Sequence, residues 1–347
     1  MVVESFDLDG LSDEALSELH NFDQVLHAES APDDPRRPLD DYLAAVRSIP
    51  RFIESHVLLA RDDAGGVAGK AECVILRTGE NPHLAQLDMA VRPDMRRRGI
   101  GRALLESAAD FAAADGRTLL IGVTTDRVPA GEEFAKRVGA EAANRSHVNR
   151  LDLPTIDRAL VDDWISTGPV RAPDYSLLSV VGPLPDDLVG EVASLLDVMN
   201  EAPGGNLNLE DRATPVAHLR EQEEQVAATG RMWRWIFARH NPSGRLVGLT
   251  EATWSPSSPA RVQQGNTGVV REHRGHALGK WMKAAMLRWI LEERDECVEF
   301  LTNNADSNAA MVSINTQLGF QHHIAQTTWR VSLSSVRAYS GSADPKS

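Results

Sequence analysis

Two consecutive copies of a mixed α/β domain, each a twisted β-sheet flanked by helices, are what this sequence predicts, and three observations lead there. The chain has 347 residues, more than the roughly 100–200 of a typical single domain. Two internal segments resemble each other: VRPDMRRRGIGRALLESAADFA from Val91 and VVREHRGHALGKWMKAAMLRWI from Val269, which set Gly101 and Gly279 178 residues apart. Landmarks on either side keep nearly the same offset, Glu72 with Glu251 (179 residues) and Gly139 with Gly319 (180 residues). Three landmarks in one order with so little drift mark a duplication.

The elements follow in the same order in both copies. Ser12 to Ala28 carries apolar residues at helical spacing (Leu16, Leu19, Val25, Leu26), with Ser12 placed as an N-cap. Strand patterns at His56–Arg61 and Val67–Leu76 flank the turn sequence DDAGG, and a third strand, Ala85–Val91, runs into an Arg/Gly loop. A helix from about Gly101 to Ala114 follows, then a strand (Thr118–Val123), a short helix (Gly131–Val138) and a closing strand (His147–Leu153). The second copy repeats the plan with helix Leu184–Met199 and strands Met232–His240, Leu246–Trp254 and Val262–Val270. It ends with helix Leu278–Glu292, strand Glu296–Thr302, helix Asn308–Leu318 and closing strand Ile324–Leu333. The reading gives domains at 1–153 and 173–335, a linker at 154–172 with an apolar stripe (Ile156, Leu160, Val161, Trp164, Ile165), and a disordered tail from 336 to 347.

Composition narrows the function. Hydrophobic residues at 42% and charged ones at 25% are globular proportions. No apolar run approaches the roughly 20 residues that span a bilayer, and the acidic start MVVESFDLDG does not read as an export signal. Two cysteines, Cys73 and Cys297, are too few for a disulfide framework or a cysteine metal site, which fits a cytoplasmic protein without a metal. His322 and His323 lack partners at metal-ligand spacing. A net charge of −14 argues against nucleic acid as the main partner. A local basic cradle for a small anion remains compatible with it.

That cradle is the segment Arg96-Arg97-Arg98-Gly99-Ile100-Gly101-Arg102, which follows an apolar strand and opens a helix. Backbone N–H groups at a helix start bind anions, glycine lets a phosphate come close, and guanidinium groups match phosphate geometry. With its flanks the pattern is V-x-P-x-x-R-R-R-G-x-G-x-x-L-L. On these residues the sequence resembles the GNAT superfamily of acyl-CoA-dependent N-acyltransferases, over both halves, in a layout similar to tandem members such as mycothiol synthase. The resemblance implies acetyl-CoA as co-substrate. It implies Arg96 to Arg102 as the pyrophosphate cradle and Met89, Ala90 and Val91 as the strand edge along the pantetheine arm. In the second copy the corresponding edge is Thr267, Gly268 and Val269, and the loop is Arg274, Gly275, His276, Ala277, Leu278, Gly279 and Lys280. Ala277 there replaces Gly99. The resemblance also assigns Asn308 to the cofactor arm. At the position of the family's usual acidic tyrosine, this chain has Ala135 and Asn315.

The chemistry needs little. A neutral amine attacks the thioester, a carboxylate takes its proton, and a thiolate leaves readily without a dedicated acid. Glu72 and Glu251, at matching strand positions, are the candidate bases. The C-terminal copy is favoured for its Asp306-Ser307-Asn308 helix start and its acidic loop residues Glu201, Glu210 and Asp211, which would hold a cationic amine. The expected activity is transfer of an acetyl group to a small-molecule amine, by a monomer or a homodimer that needs neither nucleic acid nor membrane. The competing reading is a non-catalytic CoA-binding or amine-sensing protein.

Overall fold

The computed structural model describes residues 2–200 and 213–341. The described residues fall into two compact units, one of residues 2–145 with 324–341 and the other of 146–200 with 213–323.

The first unit holds β1 (Val3–Asp7), α1 (Asp13–Ser30), α2 (Leu39–Arg47), β2 (Ile53–Arg61), β3 (Val67–Leu76), β4 (Leu84–Val91), α3 (Ile100–Ala114), β5 (Leu119–Thr125) and α4 (Pro129–Val138). Ser12 does cap α1, its Oγ accepting from Ala15 N, and Leu16, Leu19 and Phe22 bury one face of that helix. Strands β1 to β4 are antiparallel neighbours, and β4 meets β5 in parallel. β1, five residues long, and α2, in a proline-flanked stretch, carry patterns too short to read from periodicity.

The second unit holds α5 (Arg158–Arg171), β7 (Tyr175–Val181), α6 (Asp186–Asn200), α7 (Val216–Ala228), β8 (Met232–His240), β9 (Leu246–Ser255), β10 (Ser258–Val269), α8 (Leu278–Glu293), β11 (Glu299–Ala305) and α9 (Ala309–Leu318). The linker stripe is real: α5 buries Val161 and Trp164 in the core of this unit, against α8.

The two remaining strands, β6 (Glu141–Asp152) and β12 (Gln321–Ser332), are exchanged. The sequence gives each copy its own closing strand. In the structure the first unit's sheet is closed by β12, antiparallel to β5 with Gln326 opposite Thr125 and Ser332 opposite Leu119. The second unit's sheet is closed by β6, with Ser146 opposite Ala305 and Asp152 opposite Glu299. The order is β1-β2-β3-β4-β5-β12 in one and β7-β8-β9-β10-β11-β6 in the other. The last helix, α10 (Leu333–Ser340), follows β12 into the first unit and packs on α3 and α4. The expected disorder from 336 therefore does not hold for 336–341: Val336 is 1% exposed, in a core with Leu105, Ala109 and Val138.

Candidate active site

In the first unit β4 and β5 pair only from Leu84 to Gln86, opposite Leu119 to Ile121. Beyond Gln86 the strands diverge, so the edge of Met89, Ala90 and Val91 faces a cleft. This cleft has a volume of about 420 Å³ and is closed by the Arg/Gly loop, by the α4 face of Phe134 and Arg137, and by Tyr339 of α10. Gly99 caps α3 at φ +85°, a left-handed conformation, and a Cβ placed on it would meet nothing within 4 Å. The backbone there is open to an approaching phosphate.

The arginines divide their work. Arg97, itself left-handed at φ +64°, and Arg102 line the cleft. Arg96 also lines it, but its guanidinium pairs with Glu29 of α1 and its Nε donates to Val91 O at 3.1 Å, so it anchors the loop. Arg98 turns away and donates to Asp94 O at 3.3 Å. Phe134, Arg137 and Tyr339 escaped the sequence reading. Tyr339 packs edge-on against Phe134, ring centroids 6.1 Å apart. No local pattern reveals a residue delivered by strand exchange from the far end of the chain.

On the other face of this sheet lies a polar cluster. Glu72 sits on β3 opposite Asp88 of β4, next to the cleft's strand edge, and accepts from Ser55 Oγ at 2.5 Å. Two residues earlier Lys70, 8% exposed, donates to Asp23 Oδ1 of α1 at 2.6 Å. Burial by itself would depress the Lys70 amine, but the Asp23 carboxylate outweighs it and its pKa is raised. Burial also raises the Tyr42 phenol, which feels Lys70, Asp23 and Glu72. Asp23, Tyr42, Lys70 and Ser55 were not singled out from sequence, because they come from four separate elements.

The second unit keeps one of these contacts and differs at the other matching places. Ala277 occupies the left-handed position at φ +58°, a conformation that costs a non-glycine residue about 1 kcal/mol. Arg274 Nε donates to Val269 O at 3.0 Å, as Arg96 does to Val91. Lys280, the counterpart of Arg102, donates to Gln317 Oε1 of α9 at 2.7 Å and lies 4.9 Å from the Trp164 ring centre. His276 does not stand alone either: its ring lies 5.2 Å from Tyr175, whose hydroxyl bonds His273 Nδ1 at 2.9 Å. Asn308 caps α9, accepting from Met311 N at 3.3 Å.

Strand β10 is irregular between Gln264 and Thr267, and Glu251 holds that irregularity. Its Oε1 accepts from Asn266 N (3.0 Å) and Asn266 Nδ2 (2.7 Å), its Oε2 from Trp233 Nε1 (2.6 Å). Gly265 beside it has no room for a side chain, since a Cβ would stand 2.8 Å from Glu251 Oε1. Burial raises the Glu251 pKa, and the three N–H donors oppose it. Beneath this bulge runs a buried polar chain. Lys283 Nζ donates to Gln264 Oε1 and Asn315 Oδ1, both at 2.6 Å, and Gln264 Nε2 donates to Thr250 Oγ1, itself bonded to Thr267. Burial lowers the Lys283 pKa to about 7. The expected loop acids Glu201, Glu210 and Asp211 lie outside the described residues. Cys73 and Cys297 are buried, and burial pushes the Cys73 thiol up to about 12. Among the described residues no three His, Cys, Asp or Glu side chains are grouped to hold a metal, and no helix is long and apolar enough to cross a membrane.

The sequence model of the acetyltransferase (GNAT) family matches residues 16–140, the copy with the open cleft. No match is found among curated proteins. Among solved structures, a tandem GNAT protein from the clavulanic acid biosynthesis pathway is similar at 27% identity and TM-score 0.77, over 96% of this chain and 99% of that one. A GCN5-related N-acetyltransferase from Sphaerobacter thermophilus shares the fold at 12% identity and TM-score 0.64, over 95% and 96% of the two chains. The arginine–glycine loop at a helix start, the diverging strands and these likenesses agree: residues 16–140 form an acetyltransferase domain of the GNAT family, in a chain that shares the layout of a tandem GNAT protein.

Proposed function

We propose that the protein moves the acetyl group of acetyl-CoA to the amine of a small molecule, that the N-terminal copy does so, and that Glu72 is the general base. The observation that carries this reading is the cleft of about 420 Å³ between Arg97, Gly99, Arg102 and the unpaired edge of β4. Backbone N–H groups at the start of α3, with Arg97 and Arg102, suit a pyrophosphate, and Arg137 adds a further cation at the wall. Acetyl-CoA, the usual co-substrate of the family, supplies the activated acyl group as a thioester.

The amine comes from the opposite face. Asp23, Glu72 and Asp88 give that face a negative balance beside one lysine, which attracts a protonated amine. Only the neutral form attacks, so a carboxylate must take the proton. Glu72 is half-buried, and its Oε1 accepts from the Ser55 hydroxyl. The new C–N bond forms as the C–S bond breaks and CoA leaves as the thiolate; Glu72 takes the proton from the amine and gives it up to the thiolate or to water. Glu251, bonded by three N–H groups, acts in this reading as the clamp of the β10 bulge.

Acetyl-CoA offered with a panel of amines, read by release of free thiol, tests the activity. Glu72→Gln should lower kcat about 10²-fold with acetyl-CoA affinity unchanged, and Glu251→Gln should leave turnover within a few fold. Full turnover in Glu72→Gln together with loss in Glu251→Gln would move the chemistry to the other copy.

A further inference from the structure

The second unit contains a cavity that the first has filled. Opposite Gly122 of β5 stands Trp329, 7% exposed, its Nε1 donating to Thr124 Oγ1 at 2.8 Å. At the matching register position of the second unit, opposite Thr302 of β11, the closing strand has Asn149. Where the first copy has Thr124 and Ala135 the second has Asn304 and Asn315. With an amide in place of an indole, the sheet and α9 border a hollow of about 370 Å³ that is open to solvent.

The wall chemistry is not that of a packing defect. Phe320 and Val312 give the space an apolar side, while Asn149, Asn304 and Asn315 present amides to it. Asn315 Nδ2 donates to Asn304 Oδ1 and Asn315 Oδ1 accepts from the buried Lys283, so the inner amides are held rigidly in orientation. Near the rim, His147 Nδ1 bonds Asp306 Oδ1 at 2.5 Å, and the His322 ring stands edge-on to His147 at 4.7 Å. The lining holds one carboxylate, Asp306, and no lysine or arginine. Aromatic faces and a carboxylate favour a cation, and fixed amides favour hydroxyl groups. The size suits a single small molecule.

We propose that this cavity binds a small hydroxylated amine in its cationic form, at a site separate from the acyl-transfer cleft. The amine pairs with Asp306 beside His147 and His322, and its hydroxyls meet Asn149 and Asn304. The proposal rests on the N-terminal copy as the one that transfers the acyl group, because Asp306 lies at the helix start of the C-terminal copy and Asn315 lies at the position of the family's tyrosine.

Glucosamine, glucose and gluconate share a hydroxylated body and differ in charge, so they serve as probes on the full chain. Their binding is read from the imidazole proton resonances of His147 and His322, assigned with His147→Gln and His322→Gln. Glucosamine should shift both resonances saturably, glucose more weakly and gluconate least. Asp306→Asn should weaken the glucosamine effect at least tenfold. Asn149→Trp, which restores the filling of the other copy, should abolish it while thiol release from acetyl-CoA persists. Should Asn149→Trp not fold, Asp306→Asn alone decides. Equal shifts by glucose and glucosamine, a preference for gluconate, no saturable shift with any probe, or wild-type binding by Asp306→Asn would each overturn the proposal. Loss of thiol release in Glu72→Gln with glucosamine binding retained would separate this site from the transfer site.

Discussion

Replacing Lys283 by methionine should change how stability depends on pH. The amine is 1% exposed, with two amide oxygens at 2.6 Å and the Phe320 ring at 5.3 Å, and no carboxylate bonds it. Burial lowers its pKa from 10.5 to about 7. At 1.36 kcal/mol per pH unit, a displacement of that size corresponds to at most about 5 kcal/mol of cost to the protonated folded state. The sign follows from proton counts. Below pH 7 both the folded and the unfolded chain carry the proton, and the cost is present in full. Between 7 and 10.5 the unfolded chain keeps the proton and the folded one does not, so Lys283 makes stability rise with pH, by about 1.4 kcal/mol per unit at its steepest. Above 10.5 the cost is gone. Methionine removes the titration but leaves Gln264 Oε1 and Asn315 Oδ1 without their donor, at about 1–3 kcal/mol each. Near pH 7 the two effects offset within a few kcal/mol, whereas by pH 10 the wild type should be clearly the more stable. Urea denaturation at pH 7, 8, 9 and 10, followed by tryptophan fluorescence, measures this, because every tryptophan except Trp329 lies in the second unit. A wild-type-minus-variant difference that stays constant from pH 7 to 10 would refute the reasoning.

Two further outcomes are expected. Gly99→Val puts a β-branched residue at φ +85° beside the cleft, and calorimetry should show acetyl-CoA affinity reduced at least tenfold; unchanged affinity would remove the Arg/Gly loop of the first copy from cofactor binding. A chain ending at residue 153 lacks β12 and α10, so it should give no cooperative thermal transition and should bind a dye for exposed apolar surface; a sharp transition would show that the first copy closes its sheet by other means.

Much of the fold was legible because local chemistry wrote it. Ser12 before an apolar-periodic run, the DDAGG turn between β2 and β3, and the glycine after α9 each act within a few residues, and the structure puts a cap or turn at each. The cradle was legible for the same reason, as one contiguous segment. The exchange of β6 and β12 was not. Both strands carry the pattern of a closing strand, and that pattern does not say which of two related sheets will accept it. The tail misled because LSSVRAYS is polar on most sides, and only the site where Val336 docks makes it a helix with a buried face. Glu72 and Glu251 looked equivalent on their strands. What parts them is Trp233 and Asn266, donors that reach Glu251 from neighbouring strands 15 to 18 residues away.

The exchanged strands also set an order of events during synthesis. The first copy has been translated through β5 and α4 long before Ile324 exists, so the outer edge of β5 waits about 180 residues for its native partner. At 5–20 residues per second that wait is about 10–40 s. For that interval the edge of β5 is a template for any strand that reaches it, and the emerging β6, still joined to α4, is one candidate. The second copy faces the opposite situation: β6 is already present when β11 is made, and its sheet can close as soon as its own strands are complete. The copy that carries the open cleft is thus the one whose sheet is completed later, once β12 has been made.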